Sequence, residues 1–351
     1  MKITNVPQKC ANCHGTLVFD VNHKTLNCKK CGNVIPMLDN THSTEKSFQE
    51  LLSKAPIWQK DTAVYCCEQC GAKSVVTKND LVVKCDYCGA KAVSKTQELP
   101  GVRPDTIIGF DVSPDDAKKK AHQWLSKKFF VPDDFLSLAE KREINGIYFP
   151  VYAFDTHTVT RYVAMAEHTR TSTSVVGNQE ITHKQTFRRP INGIDENIFN
   201  NVLIVANDAI KYKELRFIEP FDFTQGQIFR EEYLAGFGVA QAPKEPTQTW
   251  EEAKQVIGDA ISQKIKGKYG NCALQDLHTD ITFSNVMYKY ALLPIYIGHT
   301  EYKGKRYNVM INGQTGKVHG KTPRSGWKIF SFFATMGAIA VGLGILVAMF
   351  L

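Results

Sequence analysis

Beyond Cys88 this 351-residue sequence holds a single cysteine, Cys272, and none of its segments carries a familiar catalytic signature. There is no His-Glu-x-x-His pair, no Gly-x-Ser-x-Gly elbow and no Walker loop, which removes zincin, nucleophile-elbow and P-loop chemistry. GQTGK at 313–317 has too short a glycine spacing and no Ser or Thr after its lysine, so it reads as a glycine turn between strands. His157, His168, His183, His278 and His299 are scattered, Glu231, Glu232 and Asp222 suit capping and surface charge better than paired acid–base work, and Cys272 reads as a buried, inert thiol. The chain is therefore expected not to be an enzyme. The opening MKITNVPQKC lacks the apolar core of a secretory leader, so the cysteines are expected in a reducing compartment rather than in disulfides. Acids are scarce in one place: His299–Lys328 contains Lys303, Lys305, Arg306, Lys317, Lys321, Arg324 and Lys328 against Glu301 alone. The net charge of +8 is compatible with nucleic acid or anionic lipid as a partner and selects neither.

What the sequence has is concentrated at its two ends. Nine of the ten cysteines fall in the first 88 residues, eight of them in Cys-x-x-Cys pairs. Cys10, Cys13, Cys28 and Cys31 map onto Cys67, Cys70, Cys85 and Cys88 by one shift of 57 residues, and Gly32 maps onto Gly89. Between the pairs, TLVFDVNHKTLN and KSVVTKNDLVVK read as strand–turn–strand, with turns near Asn22-His23-Lys24 and Lys78-Asn79-Asp80. A Cys-x-x-Cys turn aims two thiolates at one ion, and the hairpin brings up the second pair. Four thiolates close a tetrahedral Zn²⁺ shell at about 2.3 Å and leave no position open for substrate. Two structural Cys₄ zinc sites are expected, with iron as an alternative occupant of the same ligand set. Cys66 is a spare thiol or an alternative ligand, and His14 a surface neighbour of Cys13.

The fold expected from the whole is a tandem of small Cys₄ zinc-ribbon β-hairpin domains, then a β-rich α+β domain, then one C-terminal transmembrane helix. The boundaries are 1–36 and 61–98 for the ribbons, 37–60 for a linker with a short helix in SFQELLSK, 99–320 for the α+β domain, 321–328 for a basic juxtamembrane segment and 329–351 for the span. In the α+β part, Ser113 caps a helix that begins at Pro114, with Ala117, Ala121, Trp124, Leu125 and Phe129 on its buried face. A second helix starts from a Thr249–Glu252 capping box and stops at Gly267, with Trp250, Ala253, Ile257, Ala260 and Ile261 inward. VTRYVAMAE, NVLIVA, the stretch from Ile281 to Tyr302, and KRYNVMING read as strands, and HTRTSTSVVGNQEITHKQ as an exposed hairpin or loop. IYFPVYAF (147–154) and ALLPIYIG (291–298) echo one another, which predicts two related β-rich halves.

Residues 329–351 contain no charge and, as a helix at about 1.5 Å per residue, would cover roughly 34 Å, enough to cross a hydrocarbon core of about 30 Å. Trp327 stands where an interfacial aromatic belongs. Arg324 and Lys328, with the basic run behind them, predict that the N-terminal side is cytosolic and the chain tail-anchored in the cytoplasmic membrane. Ala334, Ala338 and Gly342, and likewise Ala340, Gly344 and Ala348, have the small-xxx-small spacing that permits homo-oligomers through the helix.

The twin CxxC-x14-CxxC sets, GIYFPVYAFD, EEYLAGF, the LLPIY strand, NGQTGKVHG and the terminal span together resemble a bacterial, mostly Gram-positive, family of membrane proteins with paired zinc ribbons of transcription factor IIB type. Members are encoded beside SPFH-domain and phage-shock protein A-like proteins. The resemblance implies a membrane-stress scaffold that recruits such partners to the membrane, and it supplies no catalytic residues. The alternative is a membrane-tethered nucleic-acid-binding ribbon protein, for which Lys24, Lys29, Lys30, Lys73, Lys78 and Lys84 offer phosphate contacts and Phe19 and Tyr87 few stacking surfaces.

Overall fold

The computed structural model describes residues 10–37, 43–53 and 104–350, apart from 177–178, 208–211, 236, 241–243 and 271, together with five strand segments between 62 and 98. The first cysteine set lies on a three-stranded antiparallel sheet of β1 (Leu17–Asp20), β2 (Thr25–Cys28) and β3 (Val34–Pro36). The turn falls where the sequence places it: Asp20 accepts from the Asn22 and His23 amides, and Lys24 takes a left-handed φ of 54°.

Next come β4 (Lys46–Ser47) and α1 (Phe48–Ser53), from the stretch expected as linker. Both are docked on the larger domain. β4 pairs with Met287 and Tyr288, and Phe48 sits buried among Phe154, Trp250 and Tyr288. Five short strands follow: β5 (Thr62–Cys66), β6 (Lys73–Thr77), β7 (Val82–Lys84), β8 (Lys91–Val93) and β9 (Gln97–Glu98). β7 pairs β8 with Val82 opposite Val93 and Lys84 opposite Lys91, as β2 pairs β3 with Thr25 opposite Pro36 and Asn27 opposite Val34. The 57-residue shift therefore extends from the cysteines to the strand register.

The remaining elements are β10 (Thr106–Ile107), α2 (Pro114–Ser126), α3 (Asp133–Glu140), β11 (Ile144–Val176), β12 (Gln179–Val205), α4 (Tyr212–Arg216), β13 (Gln227–Ile228), β14 (Gly238–Ala240), α5 (Pro246–Lys268), β15 (Ala273–Tyr302), β16 (Lys305–Asn312), β17 (Val318–Gly320) and α6 (Gly326–Phe350). Their eight strands, together with β4, β5, β6 and β9, build one 12-stranded sheet centred on β11 and β15. β11 is 33 residues long, roughly 110 Å if fully extended, and β12 and β15 accompany it as a projecting three-stranded ribbon.

Burial along β11 explains its length. From Asn145 to Phe154 every residue is buried, because both faces are covered. On one face lie Ile108, Leu215, Ile218, Phe221 and Phe223. On the other lie β1, β2, α2 and, farther along, α1 and α5. From Thr156 to Ala166 only alternate residues are buried, since α5 alone shields that stretch through Ile257, Ile261 and Ile265 around Tyr162.

The echoing segments meet in this sheet. Tyr148 stands opposite Pro294 and Pro150 opposite Leu292, so IYFPVYAF and ALLPIYIG are neighbouring antiparallel strands in one core. Gly146 and Gly313 leave room for the Phe237 and Phe110 rings, stacked 4.1 Å apart; a Cβ at either glycine would come within 2.5 Å of them.

Two helices differ in detail from expectation. Ser113 caps α2 by accepting from the Asp116 amide, and Ala117, Ala121 and Leu125 are buried as anticipated, but the helix ends at Ser126 and Phe129 is 66% exposed. α5 begins a turn earlier than its apparent capping box, at Pro246 after Glu245. Thr249 is thus internal, donating to the Pro246 carbonyl, Glu252 pairs with Lys244, Ala260 is exposed, and Gly267 lies inside the last turn.

α5 is fastened to the ribbon by Asp195 of β12, which is buried and takes Lys264 at 3.2 Å, Lys268, and Asn197 at 2.9 Å. Burial alone would raise its pKa; Lys268, Asn197 and Lys264 outweigh that and hold it near 2. Because the unfolded carboxyl titrates at about 3.9, the unfolded chain binds the proton more readily. The contribution is full above about pH 4 and fades as pH falls toward 2. Asp195→Asn is expected to cost about 1–2 kcal/mol at pH 7, discounted for the half-exposed lysines, and to flatten the melting temperature between pH 5 and 3 relative to the parent, measured by circular dichroism.

Candidate functional site

Cys10 and Cys28 each open a knuckle of the same build. The amide of the first cysteine donates to the carbonyl five residues on (Cys10 to Gly15, Cys28 to Asn33, both 2.8 Å), and its carbonyl accepts from the amide four residues on (His14 at 2.8 Å, Gly32 at 3.0 Å). His14 and Gly32 occupy the matching left-handed position, with φ of 56° and 73°. His14 therefore serves the turn and points its ring to solvent. Gly15 is confined: a Cβ there would approach Cys28 Sγ and Cys13 Sγ to about 3 Å.

These knuckles bring Cys10, Cys13, Cys28 and Cys31 together, every Sγ within 4.8 Å of the others. Cys13 and Cys28 are 3.4 Å apart and Cys10 and Cys31 3.7 Å. Thiolates at about 2.3 Å around a tetrahedral ion stand about 3.8 Å from one another, so the cluster has the size of such a shell. The surroundings favour ionised sulfur. Backbone amides of Cys13 and Asn12 lower Cys10 to about 6, and the Cys31 and Lys30 amides lower Cys28. The Asn33 amide also lowers Cys31, but the neighbouring sulfurs of Cys13, Cys28 and Cys10 push it up to about 12. Four thiolates this close repel one another, and a cation at their centre removes that conflict. The donors fit a metal ion with no place left for substrate. Cys67, Cys70, Cys85 and Cys88 lie outside the described residues, as do Lys78 and Tyr87.

The cluster is not a free head. Leu17, Phe19, Leu26 and Cys28 share one core with Ile107, Phe110, Ala117, Tyr148 and Tyr296. The Phe19 amide donates to Ala235 O at 2.9 Å, its ring meets Tyr233, and Lys24 bonds Phe110 O and pairs with Asp111. Two of the features available for nucleic acid, Phe19 and Lys24, are thereby spent within the protein.

At the other end, α6 is the helix, among the described residues, long and apolar enough to cross a membrane; the window Gly326–Leu343 has no buried residue. It grows directly from the domain: the Ser325 amide donates to Phe130 O at 2.7 Å, and Lys328 donates to Val131 O at 2.9 Å and pairs with Asp133 at 2.6 Å. Arg324 and Trp327 are exposed, and Ala334, Ala338 and Gly342 lie along the exposed helix surface.

The remaining candidates behave mostly as structural groups. Asp222 accepts from Thr224 and Gln225 and caps a short turn, which lowers its pKa. GQTGK is the turn after β16: Asn312 accepts from the Gln314 and Thr315 amides and donates to Ile218 O and Pro220 O. Cys272 departs from expectation, being half-buried with its Sγ 2.8 Å from His168 Nε2. These residues are 104 positions apart, and only the pairing of β11 with β15 joins them.

A search of known proteins finds one full-length likeness. The chain is 27% identical over 335 residues to uncharacterized protein YdjG of Bacillus subtilis (strain 168), covering 94% of this chain and 93% of that protein. No family model matches the chain, and no solved structure matches it.

Proposed function

We propose that this chain is a non-enzymatic, single-pass membrane adaptor that recruits SPFH-domain and phage-shock protein A-like partners to the cytoplasmic membrane in a membrane-stress response. The observation that carries this is α6: an apolar helix of 25 residues, exposed along the 18-residue window Gly326–Leu343 and tied at its base to a folded domain. The basic stretch before it supports a cytosolic position for that domain by the positive-inside rule. Two zinc ions, each held by four thiolates, serve as structural sites, the first in the cluster of Cys10, Cys13, Cys28 and Cys31 and the second at Cys67, Cys70, Cys85 and Cys88. The ribbon of β11, β12 and β15 supplies a docking surface, since its side away from α5 exposes Val159, Val163, Ile194 and Ile198 beside one another. The tie to SPFH-domain and phage-shock partners rests on the sequence resemblance.

Affinity capture of the full-length protein from detergent-solubilised native membranes is expected to recover an SPFH-domain protein, and Val163→Glu with Ile194→Glu, both surface positions, to reduce that recovery at least several-fold. Recovery that is absent in the parent sinks the adaptor reading. The nucleic-acid alternative predicts salt-sensitive binding of DNA or RNA by the full-length protein, with a steep loss as salt rises.

A further inference from the structure

Three separate segments converge at the base of α6. The approach to α3 (Pro132–Asp134), the turn between β15 and β16 (Tyr302–Lys305) and the segment leading into α6 (Pro323–Lys328) enclose a cleft of about 710 Å³. Lys303, Lys305, Arg324 and Lys328 line it against two carboxylates, Asp133 and Asp134. Both carboxylates are already engaged: Asp133 by Lys328 at 2.6 Å, and Asp134 by the Tyr302 hydroxyl at 2.8 Å. Lys303 lies over the Tyr302 ring, 5.0 Å from its centre. Among the described residues no ion pair engages Lys305 or Arg324. The cleft is thus a concave cationic site whose acids have been used internally, and an oxyanion is the ligand such a set of groups recognises.

We propose that this cleft holds the phosphate of an anionic phospholipid headgroup; the inference rests on α6 lying in a bilayer. Its position selects lipid over free phosphate. Trp327, 75% exposed, lines the cleft, and Phe330 and Phe333 continue outward from it along α6. The exposed Phe129 joins them from the loop after α2, its ring 6.0 Å from Phe332, while Phe130 packs against the same ring at 5.6 Å. Trp327 is the kind of ring that sits at headgroup depth on a helix entering hydrocarbon, the phenylalanines continue from it along the apolar side, and the cationic cleft opens at Trp327. A lipid seated there has its phosphate between Lys305 and Arg324 and its chains along the first turns of α6. The arrangement also explains Phe129, which lies beyond the end of α2 and has no place in the core.

The test uses full-length protein reconstituted in nanodiscs of phosphatidylcholine and phosphatidylglycerol, then extracted into mild detergent, with retained lipid quantified by mass spectrometry. Phosphatidylglycerol is expected to be retained several-fold above its share of the bilayer, and Lys305→Gln with Arg324→Gln to return the ratio to that share. Both side chains are exposed and free of ion pairs, so the double variant keeps the fold. Retention at the bulk ratio in the parent, or undiminished retention in the variant, overturns the headgroup site. Loss of the retained lipid to an excess of inorganic phosphate overturns the assignment to lipid. Carbonate extraction of the same preparations separates the two levels: release of the parent means α6 is not inserted and the membrane reading itself fails, whereas resistance without a phosphatidylglycerol preference refutes the headgroup site alone.

Discussion

Replacing Cys10 and Cys13 together by serine is expected to abolish the cooperative unfolding of the whole folded domain, not merely of a detachable finger. The sheet that carries these cysteines has strands of three or four residues, far too little to hold a fold by itself. Metal binding at a Cys₄ site is worth on the order of 10 kcal/mol or more, which is comparable to the entire stability of a typical domain, about 5–15 kcal/mol. In a finger detached from the rest of the chain that loss would stay local. Here Leu17, Phe19 and Leu26 lie in the same core as Phe110, Tyr148, Phe237 and Tyr296, so it cannot. Releasing them uncovers one face of β11 and β15 at about 1.5–3 kcal/mol per large side chain. Thermal unfolding followed by circular dichroism should show a melting temperature lowered by more than ~10 °C or no transition at all. Bound metal, zinc on the proposed reading, should fall by one equivalent. A melt indistinguishable from the parent would mean that the cluster is not held by metal.

How much of this was visible beforehand depends on the range of the interaction. The 57-residue shift between cysteine sets is local chemistry repeated, and it extends to the pairing of β7 with β8. Ser113 with Pro114 is a signal within four residues, and the helix begins there. Thr249 and Glu252 formed an equally good local signal, but Pro246 has its fixed φ at the first position and starts α5 one turn sooner; the Thr249 hydroxyl is then buried on the Pro246 carbonyl. Gly267 reads as a stop, yet it does not take a left-handed φ and the helix passes through it to Lys268. The long-range features had no signature. That IYFPVYAF lies beside ALLPIYIG follows from β-pairing across some 140 residues, and the docking of Phe48 and Lys24 onto the larger domain likewise. The cleft at α6 joins segments around residues 133, 303 and 324, of which only the last two stood out as a basic run. Asp133 and Asp134, in the first turn of α3, are the groups that absorb Lys328 and Tyr302 and leave Lys305 and Arg324 free of ion pairs.

Ending the chain after Lys328 is expected to shift the protein almost completely from the carbonate-resistant membrane fraction to the soluble one while leaving its melting temperature within a few degrees of the parent's. The cut is placed to keep the contacts that join the helix to the domain, namely Ser325 to Phe130 and Lys328 to Val131 and Asp133. Among the described residues, the ring contacts it breaks with the retained chain are those of Phe332 with Phe129 and Phe130 and of Phe330 with Trp327, so the folded domain has little to lose. For the membrane the change is large, because a spanning helix is held effectively irreversibly whereas an interfacial contact is reversible. Any residual association should come from Phe129 with Lys303, Lys305 and Arg324, and should vanish at high salt as surface-charge attraction is screened. A single charge set into the middle of α6, Ile339→Lys, provides the intermediate step: about 3 kcal/mol against insertion, enough to reduce but not abolish the resistant fraction. If the truncated chain stayed in the membrane at high salt, α6 would not be the anchor. If it became soluble and still captured an SPFH-domain protein, the proposed partner surface would be confined to residues 1–328, and the role of α6 would be to determine where that surface acts.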